Sequence, residues 1–138
     1  MDKQLIEEKL ESLRRSISRI EGKYPTCVDS LPNDLDAQDI ITLNLTRAVQ
    51  LCVDIAAHIV SEAKEITPPA TMAESFTRLN ELGVIDKTVE TRMIKAVGFR
   101  NIAVHHYEAI DWNIVKSICE RHLDDFKNFA RMIDSILQ

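Results

Sequence analysis

At 138 residues, 45% of them apolar, the chain has enough hydrophobic surface for one core but not for two, so residues 1–138 are expected to form a single domain. A formal charge of −5 and an aromatic content of 5% exclude a broad cationic surface for long duplexes and a base-stacking platform for single strands, which leaves room only for a local phosphate site. Three glycines and four prolines are too few turn residues for a strand-rich domain, and the expected class is all-α.

The N-terminus, Met1-Asp-Lys-Gln-Leu-Ile-Glu-Glu8, is charged from its second residue and holds no apolar run of signal-peptide length. The expected location is therefore cytoplasmic, with no membrane partner. From there, Ile6, Leu10, Leu13, Ile17 and Ile20 recur in steps of three and four and predict a helix over residues 2–21. Gly22, Pro25 and the run Asp29-Ser-Leu-Pro-Asn-Asp34 end it in a loop. Residues 36–64 are apolar nearly all round and predict the central, most buried helix. Its polar residues Asn44, Arg47, Asp54, His58 and Ser61 fall on one narrow stripe, expected to face water, a partner or a site.

Thr67-Pro-Pro-Ala70 closes that helix, and Thr71-Met-Ala-Glu74 has the form of a capping box that opens a short helix to about Leu82. Gly83 suits a left-handed closing position, and Asp86 or Thr88 caps a fourth helix running to His105. Asp111 caps the last helix, whose expected core face is Val115, Ile118, Cys119, His122, Phe126, Phe129, Ile133 and Ile136. The sum is an antiparallel bundle of four long helices plus a short one. The three cysteines are odd in number and lack paired spacing, so neither a disulfide framework nor a zinc site is expected, and Cys52 and Cys119 read as core.

Chemistry-bearing residues gather at the end of the fourth helix, in Arg100-Asn-Ile-Ala-Val-His105-His-Tyr107. Histidine exchanges protons near neutral pH, and arginine stays cationic and forks toward phosphate oxygens, so the pair suits phosphodiester cleavage. Residues five apart on a helix differ by about 140° in direction. Arg100 and His105 therefore converge only if the helix loosens near His106 or a second subunit completes the pocket.

The pattern Arg100-Asn101-x3-His105 resembles the motif of the HEPN ribonuclease superfamily. His105-x-Tyr107, Val97-Gly-Phe99 before the motif and Asp54-Ile-Ala-Ala-His58 in the central helix extend the likeness to HepT toxins, over essentially the whole chain. The resemblance implies a HEPN-like fold and a homodimer that cuts RNA with no metal and no cofactor, leaving a 2′,3′-cyclic phosphate. It assigns Arg100 and His105 as catalytic and Asn101 as supporting. It also implies a partner, a nucleotidyltransferase antitoxin of the MntA type that attaches AMP to Tyr107 and so blocks the RNA site with charge and bulk.

Each assignment has a plainer counterpart. Arg100 and His105 are alternatively a helix-end pair, with Arg100 bridging to an acid such as Glu108. Asp54 and His58 either line the cleft or form a structural carboxylate–imidazole pair. His106 occupies a variable position of the motif, and His122 reads as structural. At the level of the whole protein, the alternative is a non-catalytic helical subunit that binds a nucleotidyltransferase, which predicts complex formation without RNA loss.

Overall fold

Helix starts in this chain are set by side chains that accept hydrogen bonds from otherwise unpaired first-turn N–H groups. In the computed structural model, which describes residues 1–138, Asp2 caps α1 (Lys3–Lys23) through Leu5 and Asp34 caps α2 (Leu35–Ser61) through Ala37. Thr71 caps α3 (Met72–Glu81) through Glu74, Asp86 caps α4 (Lys87–His105) through Val89, and Asp111 caps α5 (Trp112–Ser117) through Asn113. A five-residue π-helical segment, Ile118–His122, joins α5 to α6 (Leu123–Leu137). The class is all-α, with four long helical rods, the last of them α5 to α6, and one short helix.

The tertiary bonds give the directions. Lys9 meets Asp54 and the Asp2 N–H meets His58, so α1 and α2 run antiparallel. Arg14 with Asp134 and Glu21 with Lys127 set α1 against α6, also antiparallel. Asn80 donates to the buried Glu90 across the α3–α4 turn, where Gly83 takes φ 75°, a value only glycine adopts readily. Tyr107 reaches Asp39, which brings the end of α4 beside the start of α2.

One core runs through the bundle, with Ile6, Leu10, Leu45, Ile55, Phe76, Leu79, Met93 and Phe129 almost fully enclosed. Phe76 and Phe129 meet edge to face, ring centroids 5.7 Å apart. The helix Leu35–Ser61 has the length and apolarity of a membrane span. Most of its apolar surface is covered by α1, α3, α4 and α6, while Leu35, Ile40 and Leu43 near its start stay exposed.

Four expectations need correction. Helix α1 runs through Gly22 to Lys23, and the following loop carries two short 3₁₀ turns, Tyr24–Thr26 and Leu31–Asn33. The capping box at Thr71 is displaced, since Glu74 accepts from the Ala70 N–H and not from Thr71. Asn44 leaves the polar stripe for the interior, where its amide donates to the Ile40 carbonyl. In the last rod the core includes Leu137, while Ile136 is exposed, because within the regular helix α6 Leu137 falls in line with the buried Phe126, Ala130 and Ile133 and Ile136 falls at the edge of that face.

Candidate active site

Helix α4 ends at His105, as the spacing predicted, and His106 leaves helical geometry at φ −142°, ψ 55° while its N–H still bonds the Ile102 carbonyl. The chain then makes a 3₁₀ turn over Tyr107–Ala109 and is anchored by the buried Ile110. Helix end and turn together make a short exposed platform. His105 is exposed, and its ring makes no hydrogen bond to any other residue, so both nitrogens are available to a ligand.

Arg100 is half-buried. One of its terminal nitrogens donates to Asn101 Oδ1 at 3.2 Å, and its Nε is enclosed without an acceptor. No carboxylate neutralises it, and Glu108, the acid expected to bridge to it, approaches His106 at 3.9 Å instead. A buried unmet donor costs about 1–3 kcal/mol. An unpaired guanidinium on the same helix end as an exposed imidazole is therefore an arrangement that an anionic ligand relieves.

Tyr107 is 38% exposed, yet its hydroxyl is held: it donates to Asp39 Oδ1 at 2.5 Å, and its ring meets Trp112 edge-on at 6.1 Å. Burial, then the bond to Asp39, pushes the phenol up to about 12, with Thr42 acting in the opposite direction. Asp39 escaped the sequence reading because it lies 68 residues from Tyr107, off the polar stripe of α2. The only local signal was an acid followed by Ile40 and Ile41 at the start of an apolar helix.

Residues 7–133 match the family model described as "Ribonuclease HepT-like". The chain belongs to the HepT-like ribonuclease family. It is similar to the mRNA nuclease HepT of Shewanella oneidensis, 34% identical over 129 residues that cover 94% of this chain and 96% of that protein. It is 26% identical to the tRNA nuclease HepT of Aphanizomenon flos-aquae, covering 96% and 90% of the two. Among solved structures, a tri-AMPylated S. oneidensis HEPN toxin in complex with an MNT antitoxin superposes with a TM-score of 0.88 at 33% identity, over 98% of both chains.

Within this HepT-like chain the other candidates lie apart from the Arg100–Tyr107 platform. Asp54 accepts from Gln50 at 2.9 Å, pairs with Lys9 at 3.7 Å and lines a 380 Å³ groove between α1 and α2 with Arg15, Arg19 and Arg47. The Nε2 of His58 accepts from the Asp2 N–H at 3.2 Å, so Asp54 and His58 serve the α1–α2 contact and do not bond each other. His122 is tied to Arg92 and lies 3.5 Å from Asp125, at the wall of a 310 Å³ cavity that also involves Lys95 and Phe99. Neither Arg100, His105 nor Tyr107 lines that cavity. Burial also raises the pKa of all three thiols, Cys119 to about 12, which disfavours thiolate chemistry.

Proposed function

We propose that this single-domain chain of residues 1–138 is the RNA-cleaving toxin of a toxin–antitoxin pair, acting in the cytoplasm as a homodimer. The observation that carries the reading is that the end of α4 holds both an unneutralised Arg100 and an exposed, unbonded His105. In the proposed reaction an RNA 2′-hydroxyl attacks the adjacent phosphorus, and His105 takes its proton. The imidazolium returns a proton to the departing 5′-oxygen, leaving a 2′,3′-cyclic phosphate, and no metal takes part. Arg100 balances charge on the pentacoordinate phosphorus, and Asn101 steadies the guanidinium.

Helical geometry supports a shared site. Arg100 and His105 lie within one continuous helix and point about 140° apart, so Arg100 of one copy works with His105 of the other. Gly98, Asn101, Ile102 and His105 follow one another at helical spacing on an exposed face. Nothing lies within 4 Å of where a Gly98 Cβ would be, so the monomer has no use for a glycine that weakens the helix by about 1 kcal/mol. Close approach of a second copy supplies that use. Ile102, 43% exposed, adds apolar surface to that face.

The partner in this reading is a nucleotidyltransferase antitoxin of the MntA type, which silences the toxin by transferring AMP to Tyr107. The AMPylated S. oneidensis toxin in its antitoxin complex supports this half of the proposal. The two curated relatives are named for different RNAs, mRNA and tRNA, so the RNA class is set by cleft features that vary among HepT-like chains.

Expressing the chain alone is expected to arrest growth, with His105→Ala relieving the arrest and the fragments of cleaved RNA carrying 2′,3′-cyclic ends. Arrest by His105→Ala as severe as by the wild type would rule out this site.

A further inference from the structure

We infer that Asp39 holds the Tyr107 phenol in position and takes its proton when a nucleotidyl group is transferred to it; this rests on the reading of Tyr107 as the modified residue. A tyrosine on a three-residue turn after a helix end has little to fix it. Tyr107 is fixed at one atom by a residue of another element, through the 2.5 Å bond from its hydroxyl to Asp39 Oδ1. Asp39 stands at the start of the second turn of α2, just after the Asp34 cap, on the helix that forms the centre of the core. The rigid scaffold thus sets where the phenol oxygen sits.

Asp39 spends its carboxylate on nothing else. It forms no ion pair with any lysine, arginine or histidine, and the phenol is its single hydrogen-bond partner. No cation competes with the phenol for this carboxylate, whereas Asp54, Asp125 and Asp134 in the same bundle all face cations. From α2 the phenol meets Asp39 and Thr42, and along its own segment the titratable neighbours are His106 and Glu108, which approach each other. Asp39 is the basic atom in contact with the hydroxyl.

The chemistry needs such an atom. A tyrosine hydroxyl is a weak nucleophile until its proton is removed, and the raised pKa of Tyr107 keeps the phenolate scarce at neutral pH. Removal must therefore accompany attack. With a nucleoside triphosphate as co-substrate, the Tyr107 oxygen attacks the α-phosphorus and a new O–P bond forms. The bond from that phosphorus to the bridging oxygen breaks, pyrophosphate departs, and the phenol proton passes to the Asp39 carboxylate. The Thr42 hydroxyl is enclosed without a hydrogen-bond partner and acts to lower the Tyr107 pKa, so it is placed to donate to the oxygen as charge develops there.

The test uses the full chain carrying His105→Ala, for safe expression, with its cognate nucleotidyltransferase and magnesium ATP, followed by intact mass. Asp39 intact should give a mass gain of AMP. Asp39→Asn, which keeps the size and loses the base, should slow the gain by about 10²-fold near neutral pH, the deficit shrinking by about tenfold per pH unit as hydroxide replaces the carboxylate. Asp39→Glu should recover part of the rate. Equal rates for Asp39→Asn and its parent, or a deficit unchanged with pH, overturn the inference while the regulatory reading survives. No mass gain even with Asp39 intact overturns that reading and this inference together.

Discussion

Helix α4 carries two arginines eight residues apart, and their surroundings differ in kind. Arg92 is paired: its Nε donates to Asp125 at 2.9 Å and a terminal nitrogen meets His122, which ties α4 to the last rod. Arg100 finds a neutral amide from its own sequence neighbour and no carboxylate. Each arginine also has a histidine associated with it, but His122 is bonded while His105 is not. The first pair holds two helices together, and the second holds nothing. Charge that the fold leaves unpaired is available for a ligand, and charge that the fold pairs is not.

That contrast breaks if the two arginines behave alike on mutation. Arg100→Ala and His105→Ala should each lower the initial rate of RNA cleavage by at least about 10³-fold, since each removes transition-state stabilisation or proton transfer. Neither should shift the melting temperature much. Arg92→Ala should do the reverse, costing about 1–3 kcal/mol in denaturant unfolding because Asp125 and His122 lose a part-buried partner. Its folded fraction should keep cleaving RNA. A large loss of cleavage with unchanged stability in Arg92→Ala would move the site to the cavity along α4.

Gly98→Ala sharpens the same contrast from the exposed side of the helix. A Cβ there meets open space within one copy, so in the proposed dimer any harm comes from the second. Sedimentation should show dimer dissociation increased by roughly tenfold, the overpacking cost of a methyl group at a close crossing. An unchanged dimer would remove the support that Gly98 lends to the shared face.

The smallest effect is spectroscopic. Tyr107 is held up to about 12, and Tyr24, which donates to Glu120 at 2.6 Å, is pushed higher still, in both cases chiefly by burial. An absorbance titration should therefore show neither phenol ionising near the ordinary tyrosine midpoint of about 10, and Asp39→Asn should bring one of them down. The folded state binds the Tyr107 proton more tightly than the unfolded chain does. Its contribution to stability is thus complete below the unfolded pKa and is lost as pH rises through the folded one.

Much of this was legible from the sequence because it depends on local rules. Caps at Asp86, Thr71 and Asp111, the left-handed Gly83, the end of α4 at His105 and the apolar run of α2 all follow from side-chain chemistry within a few residues. What failed depends on contacts that periodicity does not encode. The last helix centres its buried face on Phe126, Ala130 and Ile133, which takes in Leu137 and leaves out Ile136, and the packed interior took Asn44 off its stripe. Asp54 and His58 looked like a pair at helical spacing but found partners on α1. The bond from Tyr107 to Asp39 joins residues that only the fold brings together.

The shared site is tested most directly by making dimers from two different chains, one carrying Arg100→Ala and the other His105→Ala, purified through a separate tag on each. Either variant alone is inactive in the present account. The mixed dimer keeps one intact combination, Arg100 from one copy with His105 from the other, and should cleave RNA in EDTA at about half the wild-type rate, since one of two symmetric sites remains. A mixed dimer as inactive as its parents would contradict the account and return Arg100 and His105 to a site within one copy.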